Sequence, residues 1–390
     1  MDTNRKNLVE WTPDEGISPQ TDVMGRWFKK EDFNWLPSKS ELRKMGLACL
    51  LDGWKPDKPI IDQHTRVIGL GSCFARYFIL WLADHGFNKS IPDSPYNALI
   101  RNSFGFENIS VIAQQFRWAF GEFDSRNALW IDRKRELFEA TEERRMLVRQ
   151  TLEQTDVLVL TLGLSEVWYD ESSGEPLWRA IPAKYYDPQR HLFRVESIGS
   201  TVASLQKIDE LRERYLPNLK IIFTVSPVRL KATFRPISAI TANSASKAIL
   251  RAGLDEFLRL KWQEVNKTYY YFPSYEMVTE IFKEPFREDN RHLYDYVPSQ
   301  ILSVFARFFT SYEPSEEIVQ DPENEELYRL IAQLEAKNVD LQKVCDERLA
   351  VIKDLEAAAQ ERLELIEQLH RVAQERLVVI ERLNVGTNHV

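Results

Sequence analysis

The chain has 390 residues, 44% of them hydrophobic and 12% aromatic, enough for one large domain plus an accessory element or for two ordinary domains. A net charge of −8 argues against nucleic acid as a partner, because phosphate binding wants a basic face. Only three cysteines occur (Cys49, Cys73, Cys345), too scattered for a disulfide framework, and no His/Cys/Asp spacing fits a metal site; no cofactor is expected.

The start, Met1-Asp2-Thr3-Asn4-Arg5-Lys6-Asn7, lacks the apolar core of a signal peptide, and no run approaches the roughly 18 apolar residues of a membrane span. A cytoplasmic protein without a membrane span is expected. Residues 1–54 should wrap against a core domain spanning 55–312. In that domain, short apolar runs read as buried strands: Arg66-Val67-Ile68-Gly69, then Asp156 to Thr161, then Lys220 to Val225. Tyr269-Tyr270-Tyr271-Phe272 reads as a fourth, although it holds no β-branched residue. Amphipathic patterns between them predict helices over Tyr77 to Ala83, Ile109 to Phe120, Thr141 to Gln154, Ile198 to Tyr215 and Ala245 to Asn266. This alternation predicts an α/β fold, a three-layer α/β/α sandwich on a mostly parallel sheet, with functional loops at the strand C-terminal ends.

Three segments fall where such loops belong. Gly71-Ser72-Cys73 follows the first strand and precedes a helix, whose backbone N–H groups favour negative charge and lower a thiol's pKa. Thr161-Leu162-Gly163-Leu164-Ser165-Glu166 follows the second strand. Asp289-Asn290-Arg291-His292 offers an acid and an imidazole three apart, the groups needed to take and return a proton. Ser246 and Lys247 read as an N-cap region opening the Ala245–Asn266 helix.

The string Gly71-Ser72-Cys73-Phe74-Ala75-Arg76 resembles the signature of the GSCFA domain family. Further family-like blocks are Thr161 to Trp168, Thr224-Val225-Ser226-Pro227-Val228, Ser246 to Arg251 and Tyr271 to Glu276. The resemblance covers most of residues 60 to 310. It implies a relationship to the GDSL/SGNH esterases and to polysaccharide O-acyl enzymes, and hence an acyl hydrolase or O-acyltransferase acting on an acylated carbohydrate.

Those enzymes carry Gly-Asp-Ser after the first strand and Asp-x-x-His near the end. The matching register puts Cys73 at the nucleophile position; the alternative is that Ser72 attacks and Cys73 packs beneath it. His292 becomes the base and Asp289 its orienting carboxylate, with His292 expected in reach of Ser72 or Cys73. The oxyanion block falls on Gly71, Gly163 and Ser165, with serine where the relatives place asparagine; Asn97 after Tyr96 is a possible substitute donor. Glu166 reads as a helix-start carboxylate or as a second polar group in the pocket. The competing function is a catalytically weak or inactive SGNH-like scaffold displayed by the tail.

Residues 313–324 are acidic and marked by Pro314 and Pro322, a linker. Beyond it, residues 325–384 follow a heptad. Leu327, Leu334, Leu341, Leu355, Leu369 and Leu383 take d, while Ile331, Asn338, Cys345, Ile352, Ala359, Ile366, Ala373 and Ile380 take a. Arg348, Arg362 and Arg376 occupy the remaining d slots, each followed by leucine. A 3.5-residue repeat predicts a left-handed coiled coil and so a homo-oligomer through residues 325–384, with residues 385–390 as a tail.

Overall fold

The computed structural model describes residues 36–72, 74–87, 108–125, 128–131, 136–178, 181–312 and 325–386. The four apolar runs form one parallel sheet in the order β1 (Val67–Gly71), β2 (Val157–Leu162), β5 (Lys220–Val225) and β6 (Tyr269–Tyr271). Every residue of β2 is buried, as a strand covered on both faces requires. Gly71 lies opposite Thr161, and Thr161 opposite Thr224, so three strands end in one row. The loops that follow them open on the same edge. Two strands absent from the sequence reading, β3 (Glu166–Asp170) and β4 (His191–Val195), pair as a separate antiparallel ribbon just beyond β2.

Helices α1 (Lys39–Met45), α2 (Ala75–Asp84), α3 (Ile109–Ala119), α4 (Glu142–Gln154), α5 (Ile198–Tyr215), α6 (Ala239–Leu260), α7 (Ser274–Glu276) and α8 (Tyr296–Phe309) complete this unit. On one sheet face, Leu158, Leu160 and Leu162 share a core with Phe116 of α3, Leu205 of α5 and Phe257 of α6. On the other, Phe78 of α2, Phe272 after β6 and Phe305 of α8 meet edge to face at 4.8 to 5.6 Å between ring centroids. Such pairs add about 0.5–1.5 kcal/mol each beyond their burial. The result is the expected α/β/α layering.

Local chemistry fixes the helix starts. Ser197 forms a reciprocal capping box with Ser200, and α5 runs from Ile198 to Tyr215 as its pattern predicts. Helix α6 begins at Ala239, earlier than the expected Ala245, because the Ser238 side chain accepts the Ile240 N–H. It also ends earlier, at Leu260, and a 3-10 turn over Trp262–Glu264 leads to Asn266 at φ 59° before β6. Ahead of the sheet, Leu47 and Leu51 are buried, and Trp54 packs edge-on against Trp262 and Tyr271.

The chain divides at Pro322/Glu323 into two compact units. The second holds one continuous helix, α9 (Glu325–Gly386), of 62 residues. At 1.5 Å per residue it is a rod of about 90 Å. Leu341, Ile352, Leu355, Ile366 and Leu369 along it are exposed. Among the described residues, no helix is long and apolar enough to cross a membrane.

Candidate active site at the C-terminal edge of the sheet

Gly71 ends β1 with φ +110°, a conformation that only glycine adopts without strain. The chain presses so close to β2 there that a Cβ on Gly71 would sit 2.0 Å from the Thr161 carbonyl oxygen. That same carbonyl accepts the Ser72 N–H at 3.0 Å, which pins Ser72 at the sheet edge. Ser72 is buried. Its hydroxyl donates to Ser226 Oγ at 2.8 Å and accepts the Phe74 N–H, at the start of α2, at 3.4 Å. Ser226, the first residue beyond β5, also accepts the Val228 N–H at 3.2 Å. Two strand-end serines are therefore coupled across the row. Cys73 and Asn97 lie outside the described residues.

Asp289 and His292 are joined as their spacing predicts. Antiparallel pairing of Phe286 with Leu293 makes a hairpin whose tip carries Asn290 at φ 52°. Asp289 Oδ1 accepts the N–H groups of Arg291 and His292, each at 3.0 Å, while Oδ2 takes the His292 Nδ1. The His292 N–H above all, then its ring and the Arg291 N–H, hold the Asp289 carboxyl down to about 2, against the opposing effect of burial. The carboxylate is thus ionised at any pH near neutrality.

Arg291 Nη1 lies 2.7 Å from His292 Nε2. A guanidinium has no acceptor, so it donates, and Nε2 is the unprotonated ring nitrogen. Nδ1 then carries the proton bonded to Asp289. This is the tautomer a histidine base needs.

The hairpin tip is tied to the loop after β5. Arg291 Nε donates to the Arg229 carbonyl at 2.9 Å, and the Arg229 guanidinium donates to the carbonyl and side-chain oxygens of Asn290. The route from Ser72 to His292 thus runs through Ser226 and Arg229. His292 does not bond Ser72 directly: its ring is engaged by Asp289 and Arg291, and its side chain is 51% exposed.

The β2–β3 loop differs from the sequence reading. Glu166 opens strand β3 and not a helix, because Glu166 to Asp170 pair with His191 to Val195; its carboxylate accepts the Thr233 hydroxyl at 2.8 Å. The Ser165 N–H donates to Ser246 Oγ at 2.8 Å, and the Gly163 carbonyl accepts from Lys247 Nζ at 2.7 Å. Ser246 and Lys247 are therefore not an N-cap region. They sit inside α6, both buried, and hold this loop against the sheet. The hydroxyls of Ser165 and Thr161 are buried without a hydrogen-bond partner among the described residues.

Four residues that matter here were not singled out as site residues from sequence: Ser226, Arg229, Lys247 and Arg291. Ser226 and Lys247 fall inside family-like blocks, which was the available signal. Arg229 and Arg291 carry none. The strand ribbon adds an aromatic wall, where Trp168, Phe193 and Phe234 pack at 4.8 to 6.0 Å and Phe234 is exposed. Among the described residues, no cluster of His, Cys, Asp and Glu could hold a metal ion.

Comparison with curated proteins finds no match. The GSCFA family model matches residues 66–305, more than half the chain, and spans the sheet, the Gly71–Ser72 turn and the Asp289–His292 hairpin. The chain belongs to the GSCFA family.

Proposed function

We propose that the domain is an SGNH-like acyl hydrolase or O-acyltransferase acting on an acylated carbohydrate. One observation carries the reading: an Asp289–His292 pair in the base tautomer, linked through the β5 loop to a serine held beside a helix start. In this scheme Ser72 or Cys73 attacks the acyl carbonyl and gives its proton to His292 Nε2. His292 returns that proton to the departing sugar oxygen, and water or a second hydroxyl then takes the acyl group. Gly71, Gly163 and Ser165, with Asn97, are the proposed surroundings of the oxyanion. Exposed Phe234 on its aromatic neighbours suits stacking on a sugar face.

A second reading has its own support. Ser72 is buried with its hydroxyl engaged by Ser226, as a structural serine would be. A scaffold that has lost turnover remains the competing proposal. Hydrolysis of a generic acetyl ester by the wild type, beside Ser72→Ala and Cys73→Ala, separates them. Loss of at least 100-fold in one variant, on the order expected for a nucleophile, supports the enzyme; equal background in all three supports the scaffold.

The exposed a and d residues of α9 support a homo-oligomeric coiled coil. An isolated helix with such a stripe is marginal in water. Deleting residues 325–390 is expected to turn an oligomer into a monomer by light scattering. A full-length protein that is monomeric at micromolar concentration would show that the stripe serves another chain.

A further inference from the structure

Arg291 occupies the one lone pair that His292 needs as a base. A ring nitrogen already holding a donor cannot take a proton from a nucleophile. Something must move that guanidinium before the proposed chemistry can run.

The surroundings indicate what does. Many arginines of this domain have a carboxylate partner: Arg190 with Asp170, Arg194 with Glu196, Arg212 with Asp209, Arg251 with Glu276 and Arg287 with Asp295. Among the described residues, Arg229 and Arg291 have none. Their hydrogen bonds go to backbone carbonyls, the Asn290 amide and the neutral His292 ring, and Arg229 lies 3.8 Å over the face of Phe286. The loop they grip also carries Lys231 and Arg235, and residues 226–254 contain no acid at all, in a chain of net charge −8. Asp289 is engaged with His292, which leaves Glu288 as the other carboxylate on the hairpin tip.

Guanidinium bonds to carboxylate or phosphate are charge-assisted and can be bidentate, so they outcompete a bond to a neutral imidazole. We propose that this site takes an acyl ester whose sugar carries an anionic group, a carboxylate or a phosphate, with Arg291 as its receptor. Binding the anion draws Arg291 off His292 Nε2 and frees the base, while Arg229 keeps the hairpin tip on the β5 loop. The proposal rests on the acyl-handling reading for its chemistry but not for its binding step.

The test uses full-length protein and three acetylated probes: methyl glucoside, methyl glucuronoside and methyl glucoside 6-phosphate. The wild type should favour at least one anionic ester over the neutral one by tenfold or more in kcat/KM, and which one identifies the source of the anion. Arg291→Ala should bring that preference within about twofold, losing rate on the anion and gaining it on the neutral ester. Arg291→Lys should keep part of the preference. A wild type that favours the neutral ester, or a preference unchanged in Arg291→Ala, overturns the proposal.

If no ester turns over, the acyl reading falls and the receptor is read separately. Methyl glucuronoside and methyl glucoside 6-phosphate are titrated against 15N-labelled protein, with the His292 Nε2 signal assigned by its loss in His292→Ala. A shift in the wild type that Arg291→Ala abolishes upholds the receptor. No shift with either anion overturns it.

Discussion

Gly71→Ala is expected to cost more than about 4 kcal/mol, enough to leave little folded protein, read as the urea midpoint of unfolding. Two separate effects add. The first is the backbone: alanine at φ +110° is strained by about 1–3 kcal/mol. The second is space, since the new Cβ would lie 2.0 Å from the Thr161 carbonyl oxygen, a backbone atom that cannot swing aside. Relief requires β1 and β2 to separate, which gives up the Ser72 N–H bond to that carbonyl. Gly53 supplies the control. It also has a positive φ, of +80°, but a Cβ there meets nothing within 4 Å. Gly53→Ala should therefore cost only about 1–2 kcal/mol. Equal losses at the two positions would show that strand approach does not constrain Gly71.

His292→Ala is expected to lower ester turnover by about 100- to 10,000-fold, the usual share of a positioned general base. Asp289→Asn should retain more activity, because the turn survives but the amide no longer fixes Nδ1 as the protonated nitrogen. The direction of the Asp289 shift also limits the pH profile. Its folded value of about 2 lies below the ordinary 3.8, so what its bonds contribute is fully present above pH 3.8 and lost only as pH falls through about 2. Any fall in activity between pH 8 and pH 5 must come from another group.

The sheet was legible because its strands are buried on both faces and read as unbroken apolar runs; Val157 to Leu162 is the clearest. Tyr269 to Tyr271 became a strand without a β-branched residue, since buried tyrosines serve as well on a covered sheet. The ribbon of Glu166–Asp170 with His191–Val195 was not legible, because a long connection separates its halves and its own tight turn at Ser173-Gly174 pairs Tyr169 with Pro176 instead. Helix α6 slipped in register because Ser238, and not the later serines, supplies its cap. At the site, Asp289 and His292 were legible from their spacing and from the resemblance to Asp-x-x-His, being local in sequence. The Ser72–Ser226 and Gly163–Lys247 bonds cross 154 and 84 residues. They arise from strand order, which no local pattern encodes. Arg291 escaped notice because nothing in Asp289-Asn290-Arg291-His292 says which way its guanidinium turns.

The reading of Ser72, Cys73 and His292 as one acyl-handling site is tested most directly by trapping the acyl group on the protein. After brief exposure to an activated acetyl ester, the wild type should carry one acetyl on the peptide spanning residues 70–76, at Ser72 or Cys73. The Ser72→Ala/Cys73→Ala double variant should carry none there, and His292→Ala should acquire it far more slowly. An unlabelled 70–76 peptide in the wild type, or labelling that His292→Ala leaves unchanged, would contradict a catalytic site at this edge of the sheet.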